Sequence, residues 1–376
     1  MKLLFLASLS PCSGNRTTAR RICEYIECSG HLCMLRDIGD FKSSSQVADL
    51  ISEKKFDAVL IIHLYKAGRL LLDSSVPYGA IFGGTDINED VKDAKKHEVM
   101  GTILQRARFL VAFTDQLKKT AEQHWPFAGS KIHVQSQVSK ETRCYTASSD
   151  LCSTSILIGS LSHPQASGSN ATGVVTKPCA KFNWGEFLQN SGIQFKSIDP
   201  YIFLLVCGLR QVKDPLYLVD AFSAWHKVEP CVYLVIIGPE IDPVFAQQVK
   251  AKLKSAHGVY LVSEKPQEEL HAAMRDSFAV VNSSVSEGMS STILEAMDLK
   301  VPVLARNIPG NRAIVKHEHT GLLYFHPQEF VELSKRLISD TGLKESIVTK
   351  AKEYVEKHHS KNSEKETYQK LTANLL

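Results

Sequence analysis

Two glutamates, Glu287 and Glu295, lie close to the start of a predicted helix, with seven residues between them. An apolar strand over 278–281 precedes the loop that carries Glu287, and the apolar spacing after Ser290 predicts the helix. Ligands of parallel sheets bind beyond the strand ends, next to helix starts whose free N–H groups favour anions. An ionised carboxylate accepts hydrogen bonds from hydroxyls. The pattern therefore favours a ligand that combines an anion such as a diphosphate with sugar hydroxyls.

The same residues also have a purely structural interpretation. Thr292 to Glu295 fits a capping box, in which the glutamate only satisfies backbone N–H groups. In that case Glu287 is a solvated acid in a loop. Spacing alone leaves both interpretations open.

A pair of basic residues follows the predicted strand 201–206. Arg210 and Lys213 lie between that strand and a helix predicted to begin at Pro215, which is a favoured first helical position. Both are therefore expected at the crevice that holds Glu287. A cation is unfavourable at a helix start, so Lys213 is expected to contribute little to stability. The alternative is a pair of solvated basic residues in a loop.

These residues need an α/β framework to bring them together. Buried strands alternate with amphipathic helices along the chain, which predicts parallel Rossmann-like sheets, and 376 residues are enough for two such domains. We expect one domain over 1–139 and a second over 182–357. The segment 140–181 is rich in Ser, Thr, Gly and Ala and has no helical period, which predicts a flexible insertion.

Composition argues against several other classes of protein. The net charge of +4, without a basic cluster, gives little support for nucleic-acid binding, and no apolar run approaches a membrane span. Nine scattered cysteines without C-x-x-C favour a reduced, cytoplasmic protein. The apolar start MKLLFLASLS fits either a first buried strand or a signal peptide. Fold consistency favours the strand, and secretion is the alternative.

The stretch 286–324 also resembles a known signature. Two glutamates, then AM, PV, a glycine-containing turn and TGLL are similar to the donor-site motif of family-4 retaining glycosyltransferases, which are two-domain GT-B enzymes. The resemblance implies that Glu287 lies near the donor sugar and that Glu295 binds the nucleotide ribose. It also implies that residues 358–376 form a helix that packs back on the first domain. The other donor-binding candidates are Gly288, Met289, Ser290, Gly14, Asn15 and Gly238.

The same resemblance assigns Arg210 and Lys213 to the donor diphosphate. The family commonly has Gly-Arg adjacent, whereas Leu209 intervenes here, so Lys213 fits the motif better than Arg210. Lys300 and Asp298 stand where the family has a glycine and a small residue. Both lie at the predicted helix end, away from the chemistry.

Candidates in the first domain follow two other strands. His63 resembles part of a His-x-Tyr motif of some family members and is a candidate hydrogen-bond partner or proton carrier; a surface or capping histidine is the alternative. Gly84, Thr85 and Asp86 match the end of the family's HGTD motif and are assigned to the acceptor side. Gly83 stands where the family has a histidine near the reacting centre, which puts activity in question.

The leading hypothesis is transfer of a sugar from a nucleotide-diphosphate sugar to an unknown acceptor, with retention and without a metal or cofactor. No D-x-D motif or His/Cys set lies at the predicted cleft, and Arg210, Lys213 and the helix start near Ser290 would stabilise the leaving diphosphate. Gly83 motivates a second hypothesis, a nucleotide-sugar-binding pseudoglycosyltransferase. A sugar-nucleotide epimerase is the third.

Overall fold

The computed structural model describes residues 1–10, 14–138, 182–195 and 199–375. These residues form an α/β protein with two parallel sheets of six strands each, one from each half of the chain. The predicted α/β class with two Rossmann-like units is confirmed. The segment 140–181, for which the sequence predicts a flexible insertion, lies outside the described residues. Within the described part, no helix is long and apolar enough to cross a membrane.

The first sheet has the strand order β2-β1-β3-β4-β5-β6. Its strands are β1 Lys2–Ala7, β2 Leu32–Asp37, β3 Ala58–Ile62, β4 Tyr78–Ile81, β5 Phe109–Ala112 and β6 Ile132–Val134. All residues of β1 after Lys2 are buried, which is typical of a strand covered on both faces. The segment MKLLFLASLS therefore supplies an inner strand, paired in parallel with β2 and β3.

Five helices belong to this half: α1 Gly14–Glu27, α2 Ser44–Lys54, α3 Gly84–Asn88, α4 Ala94–Arg106 and α5 Asp115–His124. Side-chain caps fix two of their starts. Asp93 accepts hydrogen bonds from Lys95 N and Lys96 N at α4, and Thr114 accepts one from Leu117 N at α5.

The second sheet has the order β12-β11-β10-β7-β8-β9. Its strands are β7 Tyr201–Val206, β8 Val232–Ile237, β9 Val259–Val262, β10 Ala279–Asn282, β11 Val303–Arg306 and β12 Leu322–Tyr324. The helices of this half are α6 Trp184–Asn190, α7 Val219–Val228, α8 Pro243–Leu253, α9 Gln267–Asp276, α10 Ser291–Asp298, α11 Pro309–Arg312, α12 Pro327–Ser339 and α13 Thr341–His358. Phe203, Phe222 and Phe330 pack edge to face or tilted in its core.

The last helix, α14 Lys361–Ala373, packs on α1 of the first half. Arg21 of α1 forms a two-bond ion pair with Glu364 of α14, and Tyr25 donates a third hydrogen bond to the same carboxylate. Glu364 has no solvent exposure. The chain therefore crosses between the halves twice.

Three predicted boundaries are wrong. The apolar spacing after β1 predicts a helix from Thr17, but α1 begins at Gly14. The glycines and polar residues over 84–88 predict a loop, but these residues form the short helix α3. Pro215 does not start a helix: residues 215–218 form a turn, and α7 begins at Val219. A helix of five residues is too short to show an apolar period, and a proline at a turn looks the same in sequence as one at a helix start.

Candidate functional site

Both sheets have their topological switch points at one cleft. In the first sheet the strand order reverses between β1 and β3, and the segments after these strands carry Gly14 and His63. In the second sheet the strand order reverses between β7 and β10, and the segments after these strands carry Lys213 and Glu287. The cleft between the halves has a volume of about 330 Å³. All the predicted site residues except Asp86 and Glu295 line it: Gly14, Asn15, His63, Gly84, Thr85, Arg210, Lys213, Gly238, Glu287, Gly288, Met289 and Ser290.

The carboxylate of Glu287 is held through one oxygen. Its Oε1 accepts hydrogen bonds from Lys213 Nζ at 2.5 Å, Ser284 Oγ at 2.7 Å and Asn282 Nδ2 at 3.3 Å. Burial would raise the pKa of Glu287, but the charge of Lys213 and these hydrogen bonds outweigh it and hold the pKa below its usual range. Among the described residues, Oε2 has no hydrogen-bond partner. An ionised oxygen is therefore available to accept a bond from a ligand hydroxyl.

The two basic residues of the cleft have different surroundings. Lys213 lies in a 3₁₀ turn over 211–213 and is bound to Glu287, with 19% of its side chain exposed. Its ammonium has three N–H donors, so two are left for another acceptor. Arg210 is exposed, and its side chain has no ion pair or hydrogen bond within the part of the chain that the structure describes. Because α7 begins only at Val219, the expectation that Lys213 lies at a helix start is wrong.

His63 lies at the end of β3 in a strained conformation. Its φ is +80°, in the left-handed region that costs a non-glycine residue about 1–3 kcal/mol. The ring is buried, with Nδ1 3.2 Å from Thr85 Oγ1 and 3.5 Å from Asp86 Oδ1. This placement differs from the surface or capping histidine that the sequence left as the alternative.

Asp86 lies beneath the cleft and holds the segments that carry His63 and Thr85 in place. Its carboxylate has no exposure and accepts hydrogen bonds from the N–H groups of Leu64 at 2.8 Å and Gly83 at 2.8 Å. Burial would raise the pKa of Asp86, but His63 and these N–H groups outweigh it and lower the pKa. Asp86 therefore orients the two segments that carry His63 and Thr85.

Gly83 and His63 are sterically linked. A Cβ at position 83 would lie 2.0 Å from both Cε1 and Nδ1 of His63, which is far inside van der Waals contact. The imidazole therefore occupies the volume that a side chain at position 83 would need. At position 83, where the resembled motif has a histidine, the space next to the backbone is occupied by the ring of His63, which directly follows β3.

The two halves touch at a pair of glycines. A Cβ on Gly84 would lie 2.6 Å from the backbone nitrogen of Gly288, and one on Gly288 would lie 3.1 Å from Cα of Gly84. Only residues without a side chain allow this approach of one backbone to the other. The floor of the cleft is therefore backbone, with Glu287 directly before one of the two glycines.

Glu295 lies apart from the other candidates. Its Oε2 is 3.1 Å from Nε2 of His271, and it does not line the cleft. The predicted capping box is wrong: the residue before α10 is Ser290, and no side chain caps that helix. The amino end of α10 therefore keeps free N–H groups that face the cleft through Ser290 and Ser291.

Sequence reasoning missed the two neutral side chains that hold Glu287. Asn282 ends β10 and Ser284 follows it, in a small-residue loop that the sequence shows but does not explain. Asn311 supports Asn282 in turn, since its Nδ2 donates to Asn282 Oδ1 at 2.9 Å. The described residues contain no group of three or more His, Cys, Asp or Glu side chains that could hold a metal ion.

This architecture, two facing Rossmann-like halves with a cleft at their switch points, is the GT-B fold of glycosyltransferases. Anabaena HepE, solved in complex with UDP-glucose, has this fold with a TM-score of 0.73 at 14% identity, and the match covers 99% of both chains. Sucrose-phosphate synthase from Thermosynechococcus elongatus gives 0.73 at 13% identity, over 100% of this chain and 99% of the other.

Sequence comparison then gives the family. The family described as "Glycosyl transferases group 1" matches residues 189–354. A Xenopus tropicalis protein named "Glycosyltransferase 1 domain-containing protein 1" is 52% identical over 375 residues, which covers 100% of this chain and 98% of the relative. The chain belongs to this family of group 1 glycosyltransferases.

Proposed function

We propose that this protein transfers a sugar from a nucleotide-diphosphate sugar to an acceptor hydroxyl, with retention of the anomeric configuration. One observation carries the proposal: the Arg210 side chain, the amino end of α10 and Oε2 of Glu287 face one cleft between two Rossmann-like halves, and no side chain of the described residues binds them. The first two suit a diphosphate, and the third suits a sugar hydroxyl.

The residues have distinct roles in this proposal. Arg210, Lys213 and the N–H groups near Ser290 stabilise the negative charge that grows on the diphosphate as its bond to the sugar breaks. Glu287 orients the sugar, and its own position is fixed by Lys213. These cations supply the charge that a metal would otherwise supply, so the proposed reaction needs no divalent ion. Gly14 and Asn15, at the amino end of α1, face the donor from the other half.

The position of His63 favours an active transferase rather than a protein that only binds nucleotide sugars. The pseudoglycosyltransferase hypothesis rests on Gly83, which removes a histidine from the usual place in the motif. The His63 ring occupies the space next to Gly83 and lines the same cleft. The cleft therefore still contains an imidazole at this corner, and the loss of one histidine from the motif does not imply loss of activity.

A thermal-shift screen of UDP-, GDP- and ADP-sugars tests the proposal, with UDP-glucose first because the structurally similar HepE was solved with it. A true donor at about 100 times its dissociation constant adds about 2.7 kcal/mol to the free energy of unfolding. Arg210→Ala should abolish that shift without changing the unliganded melting temperature. Transfer or hydrolysis of the selected donor is then measured with and without EDTA, and retention is determined by NMR of the product. Failure of every nucleotide sugar to bind would refute the proposal, and binding without turnover would favour the pseudoglycosyltransferase.

A further inference from the structure

A second cavity lies between the two halves, against the other side of the Glu287 loop. Its volume is about 490 Å³, within the range of about 300–1,000 Å³ that is usual for small-molecule sites. We call it the side cavity. The first half contributes Asn88, Glu89 and Lys92, and the second half contributes residues 211–212, 285–287 and 308–310. The side cavity and the donor cleft share one wall, formed by Glu89, Val212, Ser286 and Glu287.

The side chains around this cavity are of mixed polarity, and the charge of Glu287, which also lines it, is compensated by Lys213. Glu89, Lys92, Gln211 and Ser286 supply one negative charge, one positive charge, an amide and a hydroxyl. Within the described ranges, none of these four side chains has a hydrogen bond or ion pair. Asn88 also lines the cavity, with its Nδ2 donating to Gly84 O, and apolar groups complete the wall, among them Val285, which is 52% exposed. Four unpartnered polar groups that face one concave surface are free to bind a ligand with several donors and acceptors.

This chemistry selects among ligand classes. A single lysine opposed by a glutamate gives no anion site, which disfavours a second nucleotide or a phosphorylated ligand. Four polar side chains disfavour a lipid chain. A saccharide fits both parts of the surface, because its hydroxyls donate and accept hydrogen bonds while its C–H face packs on groups such as Val285 and Pro309.

We infer that the side cavity binds the acceptor and that the acceptor is a neutral saccharide; this inference rests on the proposed function. Ligands in the two cavities would meet at Ser286 and Glu287, as group transfer requires. The acceptor oxygen forms a bond to the anomeric carbon of the donor sugar. The bond from that carbon to the diphosphate oxygen breaks, its electron pair stays on the diphosphate, and the hydroxyl proton passes to the diphosphate.

Val285→Trp tests the location, because the larger side chain would fill the side cavity and residue 285 does not line the donor cleft. Val228→Trp is the matched control, since Val228 is 75% exposed at the end of α7 and lines neither cavity. Lys92→Ala is a second variant that removes a polar group without adding bulk. The probes are methyl α-D-glucopyranoside, methyl α-D-mannopyranoside and methyl β-D-galactopyranoside. They are added with the nucleoside diphosphate of the donor selected in the thermal-shift screen, and their binding is measured by saturation-transfer NMR.

We expect the wild type and Val228→Trp to bind at least one glycoside, Val285→Trp to lose at least tenfold in glycoside affinity and in transfer rate, and Lys92→Ala to bind several-fold more weakly. Nucleotide affinity should stay within twofold in all variants. Unchanged glycoside binding by Val285→Trp would place the saccharide elsewhere, and binding of no glycoside would refute the ligand class. Both results leave the proposed donor chemistry intact. Failure to bind any nucleotide sugar would instead refute the proposed function, and the inference with it.

Discussion

The ion pair of Lys213 with a carboxylate that is only 10% exposed stabilises the fold, and the proposed function gives Lys213 a second role at the diphosphate. Lys213→Ala would leave Glu287 ionised with two neutral donors, Ser284 and Asn282. We expect the free energy of unfolding to fall by about 2–3 kcal/mol, somewhat less than for a fully buried pair. Turnover should fall by about 10²–10³-fold if Lys213 also stabilises the leaving diphosphate. Urea unfolding and steady-state rates measure the two effects.

The matched control for this prediction is Lys250→Ala. Lys250 forms an ion pair with Glu240 at the same 2.5 Å, but about half of each side chain is exposed. Exposed pairs contribute little to stability, so this variant should unfold nearly as the wild type does. If the two alanine variants are equally stable, the ion pair between Lys213 and Glu287 does not stabilise the folded protein. If Lys213→Ala turns over normally, the diphosphate does not bind next to Lys213.

The ion pair between Lys213 and Glu287 also predicts that stability depends on pH. The pKa of Glu287 is lowered in the folded protein, so its stabilising contribution is complete above the unfolded value of about 4.3 and is lost as the pH falls through the lower, folded value. Glu287→Gln removes that titration and leaves the titration of Asp86 in place. The difference in free energy of unfolding between wild type and Glu287→Gln should therefore be constant from pH 7 to about 5 and shrink below pH 4. A difference that does not change with pH would mean that the folded pKa is not lowered.

Substitutions at Gly83 and His63 should have non-additive effects on stability, because the two positions share the same space. Gly83→Ala places a methyl group 2.0 Å from the His63 ring, so the ring must move. We expect about 1–3 kcal/mol of destabilisation from overpacking and a loss of turnover of about 10²-fold, as when a group that positions the substrate is displaced. His63→Ala should lose similar turnover without the steric cost. In the double variant His63→Ala/Gly83→Ala, stability should return to that of His63→Ala, and additive losses would contradict the steric link.

At the scale of single residues, the sequence predicts where a side chain lies better than what it touches. Lys213 and Glu287 were expected in one crevice because each follows a strand of a parallel sheet. Their ion pair joins residues 74 positions apart, and no local pattern encodes it. The partner of Glu295 could not be predicted for the same reason, because His271 lies on a different helix. The capping box was a local pattern that a tertiary contact overrode.

Among the elements, α14 depends on one buried ion pair for its position on α1. Glu364→Ala would leave the guanidinium of Arg21 buried without its carboxylate, and we expect a loss of about 3–5 kcal/mol. Hydrogen exchange should show α14 opening more than the strands of either sheet. Glu366→Ala is the control, because Glu366 is exposed on the same helix. Equal protection of α14 in both variants would mean that apolar packing around Tyr368 holds the helix instead.

Elements with a strong apolar period were predictable, and short ones were not. The sequence predicts strands over 201–206, 232–237 and 259–262 and a helix over 115–124. Strands β7, β8 and β9 and helix α5 have these bounds, since each has a buried core and clear flanking turns. Helix α3 has five residues and forms where Asp86 accepts the N–H of Gly83. Its existence depends on tertiary packing under the cleft, which no window of sequence shows.

For the molecule as a whole, strand order creates the site. A cleft of this kind needs two sheets whose switch points face each other, and here the segments after β1, β3, β7 and β10 meet. From the sequence, this arrangement could be predicted only through the resemblance to a two-domain family. Periodicity alone predicts the strands but not their order in the sheet. The side cavity as a whole had no sequence signal, because its residues come from four separate segments, and only the segments that contain Glu287 and Gly310 lie within the recognised signature.

Closure of the two halves depends on the glycine contact at the cleft floor. Gly84→Ala would place a Cβ 2.6 Å from Gly288 N, and backbone atoms cannot rotate away as a side chain can. The halves must therefore move apart, at a cost of about 1–3 kcal/mol that is typical of overpacking. Because a donor that contacts both halves binds the closed form, its affinity should fall by about ten- to a hundredfold. Small-angle X-ray scattering should show a larger radius of gyration, and calorimetry gives the affinity.

Gly14→Ala is the matched control for closure. Gly14 lines the same cleft, but a Cβ at that position would have no atom of the described residues within 4 Å, so the radius of gyration should equal that of the wild type. Gly288→Ala should behave like Gly84→Ala, although less strongly, because its Cβ would meet Gly84 at 3.1 Å. If Gly84→Ala keeps both the wild-type radius of gyration and the wild-type donor affinity, the glycine contact does not control closure. The cleft would then accommodate the methyl group by local movement of the loop over 286–290.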